Sequence, residues 1–301
     1  MRQRFYGENK LLVKFINEPQ SMEVKTIDYF QTMLIVLSTF FVLGIAGFIF
    51  YIIYYTSRGT HILMQNMDYK LKARMYGESD KQKTKPAIIF LSGWNPGKLS
   101  WTTSDFYAGF ISKRMNFICL TVALRGMGSD GNINNLKRSD FLNDSIMAYD
   151  FLSGIEGVDK SQINLVGESF GGYLACILTS KRLVKKLTLR VPTDFPDKGF
   201  ADTPQIKFAG LLTQEWKMQK HLYSDSYALD ALHNYKGNIL IVSSEKDEFI
   251  PLQTIENYLC AAKDPLKIEY QVMKGAGHAL LNPFRQWKYL KSIGRFNSDL
   301  S

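Results

Sequence analysis

Six short strand-like runs, at residues 87–91, 117–122, 163–166, 187–191, 239–242 and 268–273, most constrain how this chain folds. Whereas a strand with one wet face alternates apolar and polar side chains, residues 87–91 and 239–242 are apolar from end to end and 117–122 is broken only by Thr121. Strands of that kind are covered on both faces, as in a parallel sheet with crossover helices on either side. Helical spacing fills several of the gaps. Phe141, Leu142, Ile146, Tyr149 and Leu152 share a stripe over 140–152, and further helices are expected at 252–262 and 279–293. In the last of these, Leu280, Leu281, Phe284, Trp287 and Leu290 form the apolar face. Residues 61–66 and 69–77 read as a hairpin at the sheet edge. The expectation is one α/β domain over 58–301, long enough to bury a large core. The segment 193–236 breaks the alternation and reads as an insertion with short helices near 205–216 and 227–232.

Ahead of that domain, residues 29–55 contain no Asp, Glu, Lys, Arg or His. The inner part of this run, as a helix, would extend ~35 Å, enough to cross a bilayer core of ~30 Å. Tyr51, Tyr54 and Tyr55 stand at its far end, where interfacial aromatic residues belong. A single transmembrane helix over 29–57 is therefore expected, after a tail of residues 1–28, giving a single-pass membrane protein. Five basic and four acidic residues in the tail face Arg58, Lys70, Lys72 and Arg74 beyond the span. That balance assigns no side to the domain. The net charge of +9 lies almost wholly in 58–301, a surface that anionic lipid would attract. No zinc finger, RNA-binding signature or basic helix points to nucleic acid as a partner. Cys119, Cys176 and Cys260 lie far apart in apolar runs and read as three buried free thiols, with neither a disulfide framework nor a zinc spacing.

The sharpest local signal is Gly167-Glu168-Ser169-Phe170-Gly171-Gly172. A serine hydroxyl attacks a carbonyl only when it is exposed, held in place and relieved of its proton by a neighbour. Glycines two before and two after it permit a sharp turn between a strand (163–166) and a helix (173–178). The chain has four histidines. His61 falls on the edge hairpin, and His221 and His233 fall among charged and turn residues of the insertion, where they read as solvated surface. His278 follows the last strand in Lys274-Gly-Ala-Gly-His278, a loop suited to a general base. Glu245, Asp247 and Glu248 all follow the strand at 239–242. Asp247 stands where the loop turns over the strand end and is favoured as the acid that orients the imidazole, with Glu245 the main competitor.

With the order Ser169, Asp247, His278 in place, the chain from Tyr69 to Ile293 resembles the serine hydrolases of the α/β-hydrolase family. The resemblance implies an α/β-hydrolase fold: a mostly parallel sheet, helices on both faces, and 193–236 as a small cap over the active site. It implies a catalytic triad of Ser169, Asp247 and His278, with an oxyanion hole from the backbone N–H groups of Phe170 and Trp94. The family's His-Gly loop reads Ser92-Gly93-Trp94 here, and Leu124-Arg125-Gly126-Met127-Gly128 matches the family loop after the fourth strand, with Arg125 as a structural tether. Phe195, Phe200, Phe208, Leu211, Leu212 and Trp216 either line an acyl pocket or pack the cap onto the core.

The expected reaction is hydrolysis of an ester or thioester with a hydrophobic, lipid-like acyl group through an acyl-enzyme, without metal or organic cofactor. One alternative is an exopeptidase-like amide hydrolase, which needs an acidic residue such as Asp105 or Asp130 to hold a free amine. Another is a membrane-tethered binding protein that keeps the fold without turnover. Substrate-binding residues and oligomeric state are left open.

Overall fold

The computed structural model describes residues 38, 41, 42, 44, 46, 47, 50, 52–65, 69–94, 102–127, 133–208 and 211–298. The chain divides into two compact units, Met1–Phe50 and Tyr51–Ser301. The described residues of the first unit are helical and exposed. Most of the expected transmembrane segment lies outside the described residues. Among the described residues no helix is long and apolar enough to cross a membrane.

Among the described residues, the second unit is built on one eight-stranded sheet. Its strands are β1 (Thr60–Gln65), β2 (Lys70–Tyr76), β3 (Lys85–Leu91), β4 (Ile118–Ala123), β5 (Val158–Glu168), β6 (Lys186–Arg190), β7 (Asn238–Ser244) and β8 (Ile268–Met273). Their spatial order is β1-β2-β4-β3-β5-β6-β7-β8. β1 and β2 form the expected edge hairpin and β2 runs antiparallel to β4, while every pairing from β4 to β8 is parallel.

Among the described residues, the helices that pack around this sheet include α1 (Thr102–Met115), α2 (Arg138–Gly154), α3 (Phe170–Thr179), α4 (Leu211–Met218), α5 (Tyr227–Asn234), α6 (Leu252–Ala261) and α7 (Pro283–Asn297). Alternate residues of β3 feed two cores. Ile89 and Leu91 join the one under α2, α3, α5 and α6, whereas Ile88 and Phe90 join the one under α1 and α7. Burial on both faces explains why β3 and β4 carry no polar alternation. The segment between β6 and β7 holds α4 and α5, together with a short 3-10 turn at Gln205–Phe208 in place of the first half of one expected helix.

Four expectations need correction. α1 has no counterpart in the sequence reading, because Phe106, Tyr107, Ala108, Phe110 and Ile111 are all buried and leave no one-sided stripe. α7 starts at Pro283, not at 279. Proline, lacking an N–H, suits the first helical position, and the Asn282 side chain accepts the N–H groups of Phe284 and Arg285. Leu281 and Phe284, assigned to the apolar face, are therefore left exposed at 85% and 84%. Cys119 and Cys176 are buried, but Cys260 is exposed on the outer side of α6. Tyr55, assigned to a membrane interface, is instead buried against Phe106 and Phe110, with Arg114 Nε donating to its hydroxyl at 3.3 Å.

The cap of α7 is testable by itself. Asn282→Ala is expected to lower the free energy of unfolding by about 1 kcal/mol, read as a shifted denaturant midpoint.

Candidate active site

β5, β7 and β8 end on the same edge of the sheet, where ligands of open parallel sheets bind. Ser169 follows β5 directly and precedes α3. Its φ of 53° and ψ of −115° put a residue with a side chain in strained backbone territory. The surrounding glycines allow that turn. A Cβ on Gly171 would fall on the Leu91 carbonyl, and one on Gly93 would come within 3.1 Å of Ser169 Cβ. The Ser169 N–H donates to the Arg190 carbonyl at 2.9 Å, and the Ser169 carbonyl accepts from Gly172 and Thr193.

His278 Nε2 lies 3.1 Å from Ser169 Oγ, and Nδ1 lies 3.0 Å from each carboxylate oxygen of Asp247. With Nδ1 protonated toward Asp247, Nε2 is left to accept the serine proton. Phe249 packs its ring edge-on to the imidazole at 5.2 Å. Burial alone would raise the Asp247 carboxyl. Its bond to His278 and the N–H groups of Ile250 and Phe249 outweigh burial and hold it below the usual carboxylate value. Asp247 therefore stays ionised through the neutral range.

The three competing carboxylates have separate tasks. Asp247 faces the imidazole. Glu248 accepts the backbone N–H of His278 at 2.9 Å, and Glu245 accepts Gly275 N–H at 2.7 Å and pairs with Lys274. The first two bonds brace the loop that carries His278.

Arg190, the last residue of β6, escaped the sequence reading. Its guanidinium is buried and donates both to Glu168 and to the His278 carbonyl, while its own carbonyl holds Ser169. One side chain thus links the serine turn to the histidine loop. The available signal was an arginine beside the leucines of a short strand, a charge that requires a partner once buried.

Two cavities border Ser169 and His278. The larger, about 460 Å³, has Trp94, Phe170, Phe195, Phe208, Phe249 and Ile250 in its wall. The smaller, about 240 Å³, is lined by Trp94, Tyr107, Glu168, Leu280 and Leu281 among others. Trp94 borders both and sets its ring edge-on to Phe141 and Phe170, at 5.5 and 5.4 Å. Phe170 is the first residue of α3, where a backbone N–H has no intrahelical acceptor. Of the other cap aromatics, Phe200 packs on Tyr227, and Trp216 donates to Asp194 at 3.0 Å. The side chains of Leu211 and Leu212 lie outside the described residues.

The remaining assignments divide. Arg125 is a tether, as expected: it binds Asp144 through its backbone N–H and Nε, at 2.8 and 2.7 Å. His61 is exposed on the edge strand. His221 is not solvated, because it stacks on Trp216 at 3.7 Å, and His233 stacks on Tyr223 at the same distance. Asp105 is fully buried and spent on Arg74 and Thr121, each at 2.6 Å, so it holds no substrate amine. Asp130 lies outside the described residues.

Comparison with known proteins agrees with this architecture. A novel thermophilic esterase from the Planctomycetes species Thermogutta terrifontis superposes with a TM-score of 0.63 at 18% identity, covering 82% of this chain and 95% of that one. A putative dipeptidyl aminopeptidase IV from Bacteroides ovatus gives 0.58 at 17% identity, and Porphyromonas gingivalis dipeptidyl peptidase 4 gives 0.56 at 19%. Each match covers 80% of this chain, and the chain spans about a third of those two proteins, 35% in each case. These likenesses establish the α/β-hydrolase fold. No curated protein sequence matches the chain. The model of the prolyl oligopeptidase family matches residues 104–299, about two thirds of the sequence, and the chain is a serine hydrolase belonging to that family.

Proposed function

We propose that the protein hydrolyses esters or thioesters of hydrophobic acyl groups, with Ser169 as nucleophile, His278 as general base and Asp247 as its orienting acid. The hydrogen-bonded line from Asp247 through His278 to Ser169 carries the reading. Ser169 Oγ bonds to the substrate carbonyl carbon while its proton passes to His278 Nε2. As the carbonyl re-forms, the bond to the leaving oxygen or sulfur breaks and that atom takes the proton. Water, deprotonated by His278, then releases the acid and restores the serine. The backbone N–H groups of Phe170 and Trp94 are assigned to the oxyanion, where one donor contributes roughly 3 kcal/mol. The aromatic wall of the larger cavity supports an apolar acyl chain, and exposed Leu281 at the rim of the smaller one supports an apolar leaving group.

Peptide hydrolysis is the second reading, favoured by the family match and by the dipeptidyl peptidases among similar structures. Against a free-amine specificity stands Glu168, whose carboxylate at the smaller cavity is already paired with Arg190.

The uncharged run at 29–55 carries the further proposal that the protein is held to a bilayer, tested by its resistance to alkaline carbonate extraction. For the chemistry, the test is labelling with a fluorophosphonate followed by mapping of the modified residue. Label on Ser169 that is lost in His278→Ala is expected. Well-folded protein that takes no label would reject the nucleophile assignment.

A further inference from the structure

Apart from Ser169 and His278 the larger cavity is lined by five polar residues, and three of them, Lys217, Thr193 and Gln205, make no side-chain hydrogen bond among the described residues. Lys217, in the last turn of α4, lines it beside the triad, and among the described residues it forms no ion pair. Its position is fixed from behind: the Lys217 carbonyl accepts from Thr254 Oγ1 at 2.9 Å, and the Gln219 carbonyl accepts from Asn257 at the same distance. The ammonium lies 5.9 Å from the Phe195 ring centre.

Thr193 and Gln205 line the same cavity. Both are buried, yet among the described residues Thr193 Oγ1 and the Gln205 side-chain oxygen have no hydrogen-bond partner. A hydroxyl rotates freely, and the two ends of a glutamine amide are interchangeable at little structural cost. Both groups are therefore available as donors.

The negative charges near Lys217 are already engaged. Asp194 accepts from Trp216 and Ser226, and Asp247 is occupied by His278. Burial lowers the Lys217 pKa, and these two carboxylates only partly restore it. A cation held among rings with unused donors beside it stands at a cost unless an anion arrives.

We propose that the larger cavity selects acyl groups that carry a carboxylate, with Lys217 as the charge partner and Thr193 and Gln205 as supporting donors. The assignment rests on the reading that Ser169 is acylated. Phe170, whose N–H is assigned to the oxyanion, lines this cavity and not the smaller one, so the acyl substituent lies on this side. The carboxylate has two chemical sources: a dicarboxylic half-ester, or an acidic residue on the acyl side of a peptide.

The test compares an aryl monoester of glutaric acid with the aryl ester of valeric acid, which has the same chain length. The wild-type enzyme is expected to prefer the glutarate monoester. Lys217→Met should lower the ratio of kcat/KM values, glutarate over valerate, by roughly 10–100-fold, and Lys217→Arg should restore much of it. A merely structural lysine would depress both esters and leave the ratio in place, which overturns the proposal. So does a wild-type preference for valerate.

A readout independent of turnover is protection: free glutarate, but not valerate, should slow fluorophosphonate labelling of Ser169 in the wild type and lose that effect in Lys217→Met. Wild-type protein that takes no label defeats the acyl-enzyme reading itself. Label without glutarate protection defeats only the carboxylate selectivity. The aryl ester and the anilide of N-acetylglutamate then separate the two sources, since only a peptidase turns over the anilide.

Discussion

Replacing Ser169 by glycine is expected to abolish hydrolysis and, in the same protein, to raise the unfolding temperature. The loss of rate follows from removing the nucleophile and is on the order of a million-fold in kcat. The gain in stability follows from the backbone. Ser169 sits at φ 53°, ψ −115°, and such a conformation costs about 1–3 kcal/mol for a residue with a Cβ. Glycine adopts it without the clash but loses about 0.5–1 kcal/mol through its greater freedom in the unfolded chain. A net gain of about 1 kcal/mol remains. Ser169→Ala is the control, equally inactive but still strained, and its stability should stay near that of the wild type. Calorimetry on the three proteins reads the difference. A glycine variant less stable than the alanine variant would mean that the turn stores no strain.

The second large effect is one of stability. Arg138, at the start of α2, is fully buried, and its guanidinium donates to the carbonyls of Pro196 and Lys198, each at 2.7 Å. Around it stand the rings of Phe195, Phe200 and Phe208, with centres at 5.3, 5.7 and 4.2 Å. Both carbonyls belong to the segment between β6 and β7, so this one cation fastens the cap to the core. Backbone bonds from Ser139 to Phe200 and from Gln205 to Leu136 complete the seam. Arg138→Met leaves two carbonyls unpaired and is expected to cost about 2–5 kcal/mol. Proteolysis at 196–208 should then precede global unfolding. Arg138→Lys, which keeps the charge but lacks the fork, should fall between. Unchanged cutting in the methionine variant would show that the cap is held by the other contacts.

Much of this architecture was legible because burial writes itself into parallel strands. The continuous apolar runs of β3, β4 and β7 could belong only to a covered sheet, and the glycines around Ser169 marked the turn that follows β5. The meeting of Ser169, Asp247 and His278 was legible because each follows a strand end in a chain with few histidines. Arg190 was not, because its partner His278 lies 88 residues away and nothing local announces it. Helix α1 was hidden by success of another kind: buried nearly all round, it lost the one-sided stripe that betrays a surface helix. The start of α7 was misjudged because the apolar stripe runs on through Leu280 and Leu281, while Asn282 and Pro283 set the boundary.

The close approach of backbone at Gly93 and Gly171 has a consequence for how this protein changes over generations. At Gly171, where a single methyl group would strike the Leu91 carbonyl, mutational exploration is closed, and at Gly93 it would crowd Ser169. The floor of the site is thus inherited as a block, and a drift in substrate preference has to be accommodated elsewhere. Phe208 and Lys217 belong to the cap, attached to the core by a few identifiable contacts, and each borders the cavity. A library of variants restricted to that segment should yield altered selectivity at a far higher frequency than an equal library across 167–172. The adaptable part of this enzyme is its roof.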